Sequence, residues 1–379
     1  MSLRPDIQVF AALCGQQVQD DLYPFAEGSR QNVLVYGGDR LRAVVASAAQ
    51  AELDALKAEW AHAFQHGPGV LVIRRFFADL MLVERMNTVI GAIFADESGR
   101  VVGDHFAKAG ENGRIWNALQ KVAVRDPATF AAYYSNPLLG LVAEAWLGPH
   151  YQMTAQVNVV RPGGQAQAPH RDYHLGFQTQ DELQRYPDHV HAMSVFLTLQ
   201  GAVAQTDMPL ASGPTLLLPF SQQYPAGYLA WRDPVFKAYF AEHAVQLPLM
   251  QGDAVFFNPA LFHAAGSNQT TDFHRSANLL QVSSAFGKPM ERVDRVRMLE
   301  ALYPSLQACW QTLAPEGQAT LLACSCDGYS FPTNLDSDPP LYGMAPQTMV
   351  QLTRQALDAG WDSEVFMAAL RQQAGRRLA

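Results

Sequence analysis

His170, Asp172 and His263 are the side chains in this sequence best suited to holding a metal ion. In PHRDYH, His170 and Asp172 stand on either side of Arg171, so an extended strand would project both to one side and Arg171 to the other. An isolated H-x-D triplet is common and usually binds nothing. A second imidazole, His263, just past the apolar run of GDAVFFNPALFH, changes its meaning. Two neutral imidazoles and one carboxylate suit Fe(II), and ligands confined to one face leave positions open for a chelating cosubstrate and O2. Arg275 lies on the next apolar segment, HRSANLLQ. Antiparallel pairing is expected to set that strand beside the one near His263. An arginine deep in a cavity grips a carboxylate through paired, charge-assisted bonds, a geometry that lysine does not reproduce. The plain alternative for Arg275 is a salt bridge.

The hydrophobic pattern shows which elements must position these residues. Up to about residue 150 it is mainly helical, with one early strand. Residues 48–66 put Leu53, Leu56, Trp60 and Phe64 on one face, with Gly67 to end the helix. GVLVIRRFF, continuously apolar from Val70 to Ile73, reads as the strand. Helical periodicity returns over 79–95, 114–124 and 137–147. From about 150 to 290 the pattern becomes YQMTAQVNVVRPGG, HAMSVFLTLQ, GPTLLLPFS, HAVQLPLMQGDAVFFN and SANLLQVSSAF. Such short runs, separated by Gly, Pro, Asn and Asp, predict an antiparallel barrel or sandwich with a cavity between its sheets. From about 291 onward helices are expected over 292–303, 347–359 and 363–374, the last with Asp362 as its N-cap. The expected architecture is a single catalytic domain over residues 1–379, a mainly β core wrapped by N- and C-terminal helices.

Composition limits the alternatives. A chain of 379 residues with 49% hydrophobic and 16% charged residues can bury a substantial core. A net charge of −8 offers no general surface for nucleic acid or an anionic membrane. No apolar stretch nears the ~20 residues that span a bilayer, and MSLRPDIQVFAAL lacks a signal-peptide pattern, so a cytoplasmic location is the expectation. Cys324 and Cys326 form a C-x-C pair without further ligands and read as buried thiols. His170 and His174 have helical spacing but lack a metalloprotease flank. His189 and His191 form an H-x-H before a strand, a zinc or manganese cupin arrangement without its glutamate. Hydrolase and nucleotide-binding glycine motifs are missing.

With the metal residues identified, the chain resembles the phytanoyl-CoA dioxygenase family of Fe(II)/2-oxoglutarate oxygenases. The resemblance rests on H-R-D at 170–172, G-D-A-V-F-F at 252–257, H-A-A-G-S-N at 263–268 and R-S-A-N at 275–278. Weaker likeness runs through GVLVIRRFF, QVNVVRPGG and ASGPTLLLPFS, so that it covers about residues 65–290. It implies a double-stranded β-helix, a cupin-like jelly roll, as the core. It further implies Fe(II) at His170, Asp172 and His263, 2-oxoglutarate held by Arg275, O2 as the second cosubstrate, and a small-molecule substrate, free or as an acyl thioester.

Asn158 matches a position that faces 2-oxoglutarate in the family, with ordinary strand hydrogen bonding as the alternative. Ser267, or Ala265 in its place, falls where the distal carboxylate is contacted, because the span from His263 to Arg275 is slightly longer than in close relatives. Thr198 is a further cosubstrate contact or an inward threonine satisfied by packing. Tyr173, His174 and Phe177 either line the pocket or stabilise a lid formed by 173–191. Arg114 and Trp116 approach from the helical part or belong to a packed helix. Related halogenases replace the metal carboxylate by a small residue, so the retention of Asp172 favours hydroxylation. Desaturation or ring closure would use the same ligands, and an inactive barrel that binds a small molecule is the remaining alternative.

Overall fold

The computed structural model describes residues 4–47, 49–97, 112–341 and 343–378; Ala48, in the predicted 48–66 helix, lies outside them. The strands are β1 (Gly28–Arg30), β2 (Val33–Gly37), β3 (Val70–Arg74), β4 (Asn112–Ile115), β5 (Gln152–Val160), β6 (Thr198–Ala204), β7 (Leu216–Leu217), β8 (Ala254–Phe257), β9 (His263–Ala264) and β10 (Arg275–Ser283). Eight of them form one sheet in the order β1-β2-β3-β8-β6-β10-β5-β4, while β7 and β9 pair separately. Within the large sheet β2 and β3 run parallel and the other neighbours antiparallel.

Alternation along the strands gives the large sheet two distinct faces. Leu34, Tyr36, Leu71, Ile73, Val157, Leu199, Val203, Phe256, Leu280 and Val282 join the main hydrophobic core with the helices. Val33, Val35, Val70, Val72, Ala202, Val255, Phe257 and Ala277 turn the other way, toward Leu217, Leu247, Leu249 and Leu261. Burial on both faces explains why VLVYG, VLVI and AVFF are apolar without interruption.

The helices follow local rules closely. Gln50–Gln65 buries Leu53, Leu56, Trp60 and Phe64 as their spacing predicts. Pro137–Leu147 starts on the Asn136 side chain, which accepts from Leu138 N–H, and stops at Gly148, whose φ of 76° suits glycine. Arg295–Trp310, Met349–Asp358 and Ser363–Arg376 supply the expected C-terminal helices, and Asp362 caps the last. Cys324 and Cys326 are free and buried, with both thiols pushed up to about 12 chiefly by burial, so the C-x-C is packing. Among the described residues no helix is long and apolar enough to cross a membrane.

Two expectations need correction. The core is not a double-stranded β-helix, jelly roll or mainly β structure: among the described residues it is a mixed α/β fold with a central open sheet, no closed barrel, and far more helix than strand. Outside the large sheet the described residues pair only as β7 with β9 and as the isolated bridges His170↔His263, Met208↔Leu249 and Leu217↔Val245. Pro169, Pro209, Pro214, Pro219, Pro248 and Pro259 punctuate those segments, and a proline cannot donate to a ladder. The described residues up to 150 also hold four strands rather than one, and residues 112–115 form β4, which takes up the first two residues of the predicted 114–124 helix; that helix begins at Ala118.

Candidate metal centre

His170 and Asp172 lie in the loop after β5, opposite β9, which carries His263. His170 N–H donates to the His263 carbonyl (3.0 Å) and His263 N–H to the His170 carbonyl (3.2 Å), so the two imidazoles start from a shared backbone bridge. Asp172 N–H then donates to the Pro259 carbonyl at 3.1 Å. Arg171 turns away, as alternation predicts, and its Nη2 donates to the carbonyls of Ser221 (2.6 Å) and Tyr224 (3.1 Å). The buried guanidinium fills the space where a side chain at Gly227 would stand: a Cβ there would lie 1.8 Å from Arg171 Cζ.

The result is a compact donor set. One ligand atom from each of His170, Asp172 and His263 lies within 4.8 Å of the others, and all three residues are buried. His170 Nε2 is 3.6 Å from Asp172 Oδ1, and His263 Nε2 is 3.4 Å from Asp172 Oδ2. Each imidazole meets a backbone carbonyl through Nδ1, Ala168 O at 2.9 Å and Leu261 O at 2.8 Å. Nδ1–H donation fixes the tautomer and leaves both Nε2 lone pairs for a cation. Burial alone would raise the Asp172 pKa, but His170, His263 and the Gln200 amide outweigh it and hold the carboxyl well below its usual range. These residues fit a divalent ion such as Fe(II).

A cavity of about 550 Å³ opens from this centre, walled on the other side by the inner face of the large sheet. Arg275, Ala277, Leu279 and Gln281 line it from β10, Gln156 and Asn158 from β5, Gln200 and Ala202 from β6, Val255 and Phe257 from β8, and Arg114 from β4. Arg275 is 6% exposed, and burial lowers its pKa to about 10, still far above neutrality. Gln200 Nε2 donates to Asp172 Oδ2 and lies 3.1 Å from Gln281 Oε1, which also accepts from the Tyr173 hydroxyl at 2.5 Å. At another part of the wall Arg114 donates to Gln156 Oε1 (2.8 Å) and lies over the Trp116 ring, beside Glu291.

The expected residues meet different fates. His170, Asp172, His263, Arg275 and Asn158 all face the one cavity. The pairing expected between the His263 and Arg275 segments does not occur: β9 pairs with β7, and β10 lies between β5 and β6, so histidine and arginine face each other from separate walls. Ala265 lines the cavity, whereas the Ser267 hydroxyl accepts from Ala166 N–H (2.9 Å) outside the lining. Thr198, fully buried on β6, is also outside it. Phe177 and Gly176 border the cavity; His174 does not. His189 and His191 sit on the helix Asp188–Ser194, where His189 is exposed and His191 is buried against the Leu183 carbonyl, 3.0 Å away, so the pair cannot act as a cupin site. Sequence reasoning missed Gln200, Gln281, Gln156, Trp231, Arg232 and Glu291. Of these, Gln281 and Gln156 carried a usable signal, their even spacing from Arg275 and Asn158 along β10 and β5, and Gln200 has the same spacing from Thr198 on β6.

Comparison with known proteins adds an independent finding. The sequence profile of the phytanoyl-CoA dioxygenase (PhyH) family matches residues 66–277. Dioxygenase cdmD of Talaromyces verruculosus is 29% identical over 170 residues, 44% of this chain and 51% of that protein. The chain thus spans about half the length of the curated relative it matches. Among solved structures, the non-heme alpha-ketoglutarate-dependent epimerase SnoN from nogalamycin biosynthesis aligns with 62% of this chain and 84% of its own, at 19% identity and a TM-score of 0.43. The carbocyclase SnoK from the same biosynthesis aligns with 59% and 83%, at 18% identity and a TM-score of 0.44.

Proposed function

The chain belongs to the phytanoyl-CoA dioxygenase family; from that premise we propose that it is a non-haem iron, 2-oxoglutarate-dependent enzyme that oxidises a C–H bond of a small organic molecule, with Fe(II) held by His170, Asp172 and His263. The observation that carries this reading is the commitment of both Nδ1 atoms to backbone carbonyls, which directs two Nε2 lone pairs and a carboxylate toward one point. Fe(II) together with 2-oxoglutarate and O2 supplies the oxidising power for hydrogen removal, with succinate and CO2 as coproducts.

The protein's part is binding and exclusion. Arg275 has no carboxylate partner among the described residues and offers the planar donor pair that suits the distal carboxylate of 2-oxoglutarate. Asn158, on the same wall, adds an amide beside it. Ala202, Val255, Phe257, Ala277 and Leu279 give the substrate apolar contact and keep bulk water from the reacting centre. Hydroxylation, desaturation and ring closure all begin with the same hydrogen removal and use the same residues.

The test is 2-oxoglutarate turnover with candidate small molecules under air. Succinate formation should depend on added Fe(II) and fall to background in His170→Ala, Asp172→Ala and His263→Ala. Product mass separates the branches: a gain of one oxygen marks hydroxylation, and a loss of two hydrogens marks desaturation or ring closure. Near-normal iron affinity and turnover in any one variant would remove that residue from the proposed set.

A further inference from the structure

Gln281 stands on the inward row of β10, at the far end from Arg275, and is 5% exposed. The two ends of an amide have the same shape, so which end faces the cavity must be reasoned from its neighbours. A metal-binding carboxylate only accepts hydrogen bonds, so the atom that Gln200 turns to Asp172 Oδ2 is its Nε2. That same nitrogen lies 3.1 Å from one terminal atom of the Gln281 amide, which must therefore accept and is Oε1. The Tyr173 hydroxyl donates to this oxygen as well. With both bonds on Oε1, Nε2 of this cavity-lining residue is left without a protein partner among the described residues. Its polarity is set from Asp172 through Gln200, because a turned amide would point N–H groups at one another.

We propose that Gln281 Nε2 anchors the substrate, taking an acceptor oxygen, such as a carbonyl, that the substrate carries near the C–H bond to be oxidised. This rests on the function proposed above and adds the class of substrate. Two hydrogen bonds separate the anchor from Asp172, which keeps it close to the metal residues. Along β10 only Leu279 and Ala277 separate Gln281 from Arg275 on this row, so the amide is the fixed donor at its own end of the row, and an N–H left unanswered there would cost binding. Arg275, at the other end of the row, is the stronger partner for the cosubstrate carboxylate. Tyr173 is a positioning residue, acting through the Gln281 amide.

Three ring probes of similar size test the anchor: cyclohexanone, methylenecyclohexane, and cyclohexylamine in its protonated form. Their binding to protein loaded with Fe(II) and 2-oxoglutarate is measured without oxygen by equilibrium dialysis, with 2-oxoglutarate affinity measured in parallel. The wild type should hold cyclohexanone about three- to tenfold more tightly than methylenecyclohexane. Gln281→Leu should abolish that preference. Gln281→Glu keeps an oxygen for Tyr173 and Gln200 but turns an acceptor to the cavity, so the preference should pass to the ammonium probe. Tyr173→Phe should narrow it by removing one of the two bonds that hold the amide in place. None of the three should change 2-oxoglutarate affinity. Wild-type preference in Gln281→Leu, or cyclohexanone selection by Gln281→Glu, overturns the proposal. Weakened 2-oxoglutarate binding in Gln281→Leu overturns it too, by giving the donor to the cosubstrate. A preference that tracks Gln281 in a protein without iron-dependent succinate formation supports the anchor while rejecting the oxidation chemistry.

Discussion

Gln200 holds the Asp172 carboxylate through the same amide nitrogen that meets Gln281, so one side chain couples the metal ligand to the wall of the cavity. Outer partners of metal ligands orient them and commonly matter about ten- to hundredfold in metal affinity. Gln200→Leu should therefore weaken Fe(II) binding by about tenfold with the fold intact. Gln200→Glu should do worse, because it sets one carboxylate against another. Anaerobic Fe(II) titration with circular dichroism checks both, and wild-type affinity in Gln200→Leu would count against this role.

Arg275 separates cosubstrate recognition from metal recognition. Arg275→Lys keeps the charge but loses the planar donor pair, so 2-oxoglutarate affinity should fall by about 1–3 kcal/mol, roughly ten- to hundredfold. Arg275→Ala should fall further. Iron affinity should hold in both, since the arginine and the metal residues stand on opposite walls. Equal 2-oxoglutarate affinity in all three proteins would show that the arginine has another task.

Glu291 predicts a dependence of stability on pH. Burial pushes its pKa from 4.5 to about 7, against the opposing pull of the Asn117 N–H, Gln156, Lys121 and Arg114. A carboxyl raised in the folded state favours folding while protonated, so its penalty is absent below 4.5, grows as pH rises, and levels off above about 7. Glu291→Gln removes the penalty. The variant should match wild type at acid pH and gain about 1–2 kcal/mol by pH ~7, allowing for partial exposure. Denaturant unfolding at several pH values checks the sign, and a constant difference across that window would contradict it.

Arg232 ties the loop beside the cavity to the short helix Gly227–Ala230. Its Nη2 donates to the carbonyls of Gly176 (3.2 Å) and Gln178 (2.6 Å), in the segment expected to act as a lid. Arg232→Met should speed amide exchange over 174–178 by roughly tenfold without altering exchange in β10. Adding Fe(II) and 2-oxoglutarate should slow exchange there in the wild type. Unchanged exchange in both experiments would leave this segment as plain structure.

The metal residues were legible because H-x-D carries its own geometry: alternation alone turns His170 and Asp172 together and Arg171 away, whether or not a ladder forms. Gln281 could have been found by counting in twos from Arg275. Gln200 has the same parity as Thr198, read as inward, but a glutamine two residues on carries no chemistry of its own to single it out. Glu291, Trp231 and Arg232 come to the cavity through tertiary packing of loops, which leaves no periodic trace. The strand β4 was hidden for a different reason, because RIWNALQKV runs without a break into the helix that follows. The jelly roll failed where apolar runs met frequent prolines: the runs are buried, but too few of their amides can join a ladder.

The reciprocal bridge between His170 and His263 separates folding from metal loading. Two ligands from distant parts of the chain are joined by main-chain bonds, so the entropy of closing that loop is met during folding rather than charged to the ion. In small zinc domains the ion is the keystone and chelation unfolds the protein. Here an ion at these residues would be a removable guest. A chelator should silence the enzyme while leaving it intact, and restored iron should find its seat already made.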